Sequence, residues 1–449
     1  MNDTIAAIST SMGVSGIAII RVSGIDSIKI VNKIFKGKNL NEVDSHTINY
    51  GHIVEKNNII DEVLVSVMKA PKTFTREDIV EINTHGGIAI TNKVLELLLM
   101  NGCRLAEPGE FTKRAFLNGR IDLIEAEGVM DLINSRTEKS RKLAINQVIG
   151  EVSNLIKRLR QKIIELLANI EVNIDYPEYE DIEEMTNKKI SKNINIIENE
   201  IKNILTKSKD SKIIKDGIKT IIIGSPNVGK SSILNRLLNE EKAIVTDIAG
   251  TTRDIVEGTI QIDGIVLNII DTAGIRQTND VVESIGVKKS LDLIDEADLI
   301  LYVLNNNEKL LDEEENIIEK IQDKNSIIIV NKIDLENKLD LNKLPNYIKM
   351  SIKEDRGIEE LRNRIKKLFN LEKLEQNDFT YLSSARSISL LKKSLESLED
   401  VKKGIESNMP IDMIEIDLKQ TWQTLGEIIG ETYSDELIDQ LFSQFCLGK

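Results

Sequence analysis

The chain has 449 residues, of which 41% are hydrophobic, 29% charged and 4% aromatic, and its formal net charge is −14. That length predicts two to four domains at roughly 100 to 200 residues each, with mostly aliphatic cores. The charge excludes a protein that coats nucleic acid nonspecifically, since phosphate binding is driven by Lys and Arg; RNA would need a local basic patch or a basic partner.

Residues 1–118 mix short β-like runs with turns. Residues 16–22 and 63–68 read as strands, and 89–100 as a helix with Val94, Leu95, Leu98 and Leu99 on one face. An α+β domain with its own core is expected there. From 119 to 215 the character changes. Val152, Leu155, Leu159, Ile163, Leu166 and Ile170 recur at spacings of three and four, and Ile190, Ile194, Ile197, Ile201 and Ile204 form a second stripe. Both imply long amphipathic helices packed on partners. Pro177 ends the first, because the residue before a proline disfavours α. Residues 216–371 alternate strand and helix: 218–223, 266–270, 299–304, 326–330 and 347–350 suit buried parallel strands with helical crossovers. From 372 to 449 the chain is helical again. The expected architecture is multidomain, with an N-terminal α+β domain, a helical domain in two parts (119–215 and 372–449) and an α/β domain inserted between them.

Two cysteines, Cys103 and Cys446, are too few for a disulfide framework and too far apart for a metal site. No basic start with an apolar run opens the chain, and no stretch approaches ~20 apolar residues. The expectation is a cytoplasmic protein without a membrane span.

Chemistry concentrates after residues 218–223. Residues 224–231 read GSPNVGKS, a phosphate loop of the form G-x-x-x-x-G-K-S between a strand and an amphipathic helix. Asn227, Val228, Gly229, Lys230, Ser231 and Ser232 are its expected nucleotide contacts. Backbone N–H groups and the helix N-terminus face phosphate, Lys230 reaches the β and γ oxygens, and Ser231 offers its hydroxyl to magnesium. Asp271 opens DTAG after the 266–270 strand; its carboxylate suits magnesium and the Gly274 N–H suits the γ-phosphate. Residues 331–334 read NKID, so Asn331, Lys332 and Asp334 are expected at the base. Asp334 can accept from the guanine N1–H and amine, which adenine cannot supply. Ser351 begins Ser-Ile-Lys where GTPases usually carry Ser-Ala-Lys. In 250–254 (GTTRD), Thr252 is the expected switch threonine over magnesium. The motif order points to a P-loop GTPase.

In Ras-like enzymes a Gln directly after the DxxG glycine orients the attacking water. Ile275 stands there, and an aliphatic side chain cannot do this; Arg276, Asp280 and Glu283 are candidates downstream. A partner's arginine or a bound cation must supply the missing positive charge.

The loop with Asn227, the run 244–254 (IVTDIAGTTRD), the run 111–120 (FTKRAFLNGR) and the ending FCLGK closely resemble the MnmE (TrmE) family of tRNA-modification GTPases over the whole length. The resemblance implies an N-terminal folate-binding domain that also dimerises, a helical domain and an inserted G domain. It implies potassium in the place of an arginine finger, held by Asn227, Thr246, Ile248 and Thr251 and completed when two G domains meet. It makes Glu283 the water-orienting residue, acting with Lys230 and Thr252. It places a tetrahydrofolate one-carbon derivative against Arg21, Glu81, Arg120 and Lys449. It further implies a homodimer, a heterotetramer with the flavoprotein MnmG (which carries FAD and uses NADH), and an aminomethyl or carboxymethylaminomethyl group added at carbon 5 of a tRNA wobble uridine. A GTPase switch in ribosome assembly is the alternative. Such proteins usually carry an RNA-binding module with a basic GxxG loop, and the sequence around 411–417 is acidic instead. A purely structural switch with a vestigial folate pocket is a second alternative. Cys446 and His85 read as positioning and turn residues.

Overall fold

The computed structural model describes residues 3–175, 187–240, 256–270, 294–371 and 379–448. Strands β1 (Ile5–Ile8), β2 (Ser15–Ser23), β3 (Phe35–Lys36), β4 (Thr47–Glu55), β5 (Asn58–Met68), β6 (Ile79–Gly86) and β7 (Arg104–Leu105) form one sheet, in the order β3-β4-β5-β6-β2-β1-β7. All neighbours are antiparallel except β1 and β7. Alternation decides the faces. Ile20, Val22, Val63, Val65, Val67, Val80 and Ile82 turn to one side and bury with residues of α1 (Ser27–Ile34) and α2 (Ile88–Met100). Their neighbours Arg21, Leu64 and Glu81 turn to the other. α3 (Glu110–Leu117) puts Phe111 into a small cluster with Ile5, Ala7 and Ala106.

Helices follow: α4 (Leu123–Asn134), α5 (Glu138–Val148), α6 (Glu151–Asp175) and α7 (Asn187–Asp216). In α6 the expected stripe is buried at Val152, Leu159, Ile163, Leu166 and Ile170; Ile156 takes the core position instead of the half-buried Leu155. Among the described residues α6 runs to Asp175, and Pro177 lies outside them. In α7, Ile190, Ile194, Ile197 and Ile201 are buried.

The second sheet has the order β13-β12-β11-β8-β10-β9. It is built from β8 (Ile218–Ile223), β9 (Val256–Ile262), β10 (Ile265–Ile270), β11 (Leu299–Asn305), β12 (Ser326–Asn331) and β13 (Tyr347–Lys349), with helices α8 (Lys230–Glu240), α9 (Asp312–Ile321) and α10 (Ile358–Leu368). Pairing is parallel as expected except at one edge, where β9 runs antiparallel to β10. The sequence reading missed this hairpin, whose turn at Asp263 and Gly264 has φ of 48° and 74°, the double positive φ that two-residue hairpin turns require. Apolar cores cover both faces, and Leu143 of α5 joins one of them. The chain closes with α11 (Ala385–Glu406), α12 (Ile411–Ile429), which packs on α6, and α13 (Asp435–Phe442).

By contacts the chain forms two compact units: 1–130, 147–199 and 389–449 make one, and 131–146 with 200–388 make the other. No helix among the described residues is long and apolar enough to cross a membrane.

Candidate functional site

β8 is buried and central, so its C-terminal end delivers the phosphate loop from a rigid strand. Gly224 has φ 148°, and a Cβ there would meet the Val303 carbonyl oxygen at 2.2 Å. Asn227 has φ 60° and Gly229 has φ 102°, so the backbone turns through conformations that side chains rarely adopt. α8 begins at Lys230, leaving Ser231 and Ser232 exposed in its first turn. There the hydroxyl is open to a cation and the N–H groups to an anion. The Lys230 ammonium donates to the carbonyls of Gly224 and Ser225, each at 2.8 Å. Burial pulls its pKa below the ordinary lysine value, a cost that phosphate would relieve.

The residues expected to read the base approach this loop from β12. Asn331 is buried, and its Nδ2 donates to the Val228 carbonyl at 2.8 Å. Its Oδ1 is buried without a partner among the described residues. Lys332 (φ 61°) donates from Nζ to the Asn227 carbonyl at 2.7 Å. The fully buried Ser351 donates from Oγ to Asp334 Oδ1 at 2.7 Å. That bond holds the Asp334 carboxyl below the usual carboxylate range, ionised and oriented as guanine recognition requires. Ile352, where GTPases usually carry alanine, packs against the core of this unit. Thr246, Ile248, Thr251, Thr252, Asp271, Gly274 and Glu283 lie outside the described residues.

A second constellation sits on the first sheet's outer face. Arg21 on β2 pairs in register with Glu81 on β6. Its Nε donates to Glu81 Oε1 at 2.9 Å, and Nη2 lies 2.8 Å from the same oxygen. The guanidinium stands 5.7 Å from the Phe111 ring centroid. Arg21 Nη1 also donates to the Gly448 carbonyl at 3.4 Å, which Ser9 Oγ bonds at 3.0 Å. Gly448 has φ 85°, and a Cβ there would meet the Ile8 carbonyl at 2.4 Å. The C-terminal tail is thus laid against the pair, and Lys449, outside the described residues, follows directly. Arg120 lies 4.9 Å over the Phe74 ring, and Phe74 packs against the Phe111 cluster. Both arginines therefore stand on rings of one apolar patch.

Sequence reasoning passed over Arg114, although it lies in the FTKRAFLNGR run. It is 1% exposed and bonds Glu110, Glu77 and Asp3. No sequence signal marks it, since a lone arginine on a short helix reads as solvated. Cys446 is exposed, and its carbonyl accepts from Gly109 N–H at 3.2 Å. Cys103 is buried, which pushes its thiol up to about 12. His85, expected as a turn residue, lies instead within β6, one residue before its end, where its Nδ1 lies 2.7 Å from Asp61 Oδ1.

Two family descriptions match this chain: "GTP-binding protein TrmE N-terminus" over residues 4–120 and "MnmE helical domain" over 123–446. It is 56% identical to the tRNA modification GTPase MnmE of Streptococcus thermophilus, covering 100% of this chain and 98% of that one. It is 54% identical to that of Streptococcus mutans (100% and 99% covered) and 55% identical to that of Bacillus cytotoxicus (100% and 99%). With the phosphate loop, the NKID loop and the N-terminal sheet all in place, the chain belongs to the MnmE (TrmE) family of tRNA modification GTPases.

Proposed function

We propose that this chain is a potassium-dependent GTPase that acts in the cytoplasm with the flavoprotein MnmG. Together they build an aminomethyl or carboxymethylaminomethyl group on carbon 5 of the wobble uridine of certain tRNAs. GTP hydrolysis in tRNA modification is the family's activity, and the GSPNVGKS loop with its Asn331 and Lys332 ties supports it directly. Magnesium would be held by Ser231, Thr252 and Asp271, and potassium by Asn227, Thr246, Ile248 and Thr251. A cation at the latter site neutralises charge developing between the β and γ phosphates. Glu283 orients the attacking water.

The observation that carries the one-carbon half of the reading is the half-buried Arg21–Glu81 pair with the C-terminal tail bonded to it. Glu81 suits the N–H donors of a pterin, and Arg21, Arg120 and Lys449 suit the carboxylates of a folate tail. Ile48, Tyr50 and Leu64, exposed at 67%, 60% and 44%, form an apolar patch on the same sheet face and support a homodimer. The division that goes with this reading is 1–118 for the folate-binding and dimerisation domain, 216–371 for the G domain, and 119–215 with 372–449 for the helical domain.

Two measurements test it. GTP turnover in potassium chloride should far exceed turnover in sodium chloride at equal ionic strength, and equal rates would remove the cation mechanism. 5-Formyltetrahydrofolate should bind the intact protein and lose affinity in Glu81→Gln; absence of binding would leave a GTPase without a one-carbon site.

A further inference from the structure

The Asn227–Val228 end of the phosphate loop is fixed by Asn331 and Lys332, both base-reading residues. The other end is fixed by a residue with no place in the GTPase motifs. Ser225 Oγ donates to Glu314 Oε1 at 2.6 Å. Glu314 lies in the first turn of α9 and is 8% exposed. Its other oxygen accepts from the Leu311 N–H at 3.2 Å, capping the helix. A buried carboxylate with one donor on each oxygen has a defined position, and a hydroxyl bonded to it is held more firmly than one bonded to a neutral acceptor. The same Ser225 supplies, through its carbonyl, one of the two acceptors of the Lys230 ammonium. A chain of contacts therefore runs from the α9 N-terminus through Glu314 and Ser225 to the lysine that meets the phosphates.

We propose that Glu314 is a positioning residue for GTP binding and hydrolysis. It sets the backbone of Ser225, and thereby the resting place of Lys230, before nucleotide arrives. Pinned at both ends, the loop loses little conformational freedom when phosphates enter, so binding energy is not spent on ordering it. The inference rests on the nucleotide site itself and is independent of the potassium and folate readings.

The test uses the full chain and a fluorescent GDP analogue, with Ser225→Ala, Glu314→Ala, Glu314→Gln and the double alanine variant. Ser225→Ala leaves the α9 cap in place, so a loss of affinity there reports on the loop and not on the helix. Each alanine variant should weaken analogue binding by about tenfold, the order expected when a buried partner is removed. The double variant should be no weaker than the poorer single one, since both break the same contact. Glu314→Gln should keep most of the affinity, because its amide oxygen still accepts from the Ser225 hydroxyl. Unchanged affinity in Ser225→Ala overturns the proposal, as does a double variant whose loss is the product of the two single losses. If Glu314→Ala does not fold, Ser225→Ala and Glu314→Gln decide the question on their own.

Discussion

The Asn331 side-chain amide donates to the backbone carbonyl of Val228, 103 residues earlier, at 2.8 Å. The NKID loop and the phosphate loop are therefore parts of one hydrogen-bonded body. Asn331→Ala should loosen both. The Val228 carbonyl would lose its buried partner, a change of about 1–3 kcal/mol, or roughly 5- to 150-fold in GDP affinity. Calorimetric titration with GDP checks this, and affinity within twofold of the unaltered chain would deny the coupling.

Gly229 is a tight point of the same body. With φ 102°, any side chain is strained there, and a Cβ would lie 2.3 Å from Asn331 Nδ2. Gly229→Ala should abolish detectable GDP binding while circular dichroism stays that of the unaltered protein. Retained binding would mean that the loop shifts cheaply.

Arg114 predicts a stability effect. It is buried among Glu110, Glu77 and Asp3. Removing it leaves Glu110 and Asp3 to Arg104 and Glu77 to the Ser23 hydroxyl, so the cost is that of the lost guanidinium bonds, about 1–3 kcal/mol. Arg114→Ala should unfold the N-terminal domain at lower urea concentration and leave GDP binding by the α/β unit intact. An unshifted urea transition would contradict the role assigned to this network.

His85 predicts a pH effect. Its hydrogen bond and attraction to Asp61 raise its pKa above the ordinary histidine value. The resulting stabilisation is fully present below about pH 6.5, the unfolded value, and is lost as pH rises through the raised folded value. The ring is mostly exposed, so the effect is small. Titration by NMR should find His85 above its ordinary pKa, returning toward it in Asp61→Asn. Identical titrations in both proteins would show that the contact carries no charge.

Much of this molecule was legible in the sequence because strand ends and loops obey local rules. GSPNVGKS and NKID each follow an apolar strand, and the expected strands between 218 and 350 form within a residue or two of where their patterns place them, whereas β5 begins five residues before its apolar run. The residues proposed for folate follow only from a resemblance, since Arg21 and Glu81 are 60 residues apart and become partners only by the register of β2 on β6. The β9–β10 hairpin is written locally, as Asp263-Gly264 between the alternating Ile260, Ile262, Ile265 and Leu267, and was passed over because residues 266–270 also read as one buried parallel strand. Periodicity could not reveal Glu314 or Arg114, because a charged residue on a helix reads as solvated until a neighbouring element covers it. Leu155 and Ile156 show the limit of the 3-4 rule: both fit a helical face, and packing chooses between them.

The central claim is that this chain, through its GTPase loop and its Arg21–Glu81 pair, modifies carbon 5 of wobble uridines. Mass spectrometry of tRNA nucleosides from cells lacking the gene tests it most directly. Loss of the aminomethyl-type nucleosides is predicted, restored by the intact chain but not by Lys230→Ala or Glu81→Gln. An unchanged nucleoside profile in the deleted cells would contradict the account.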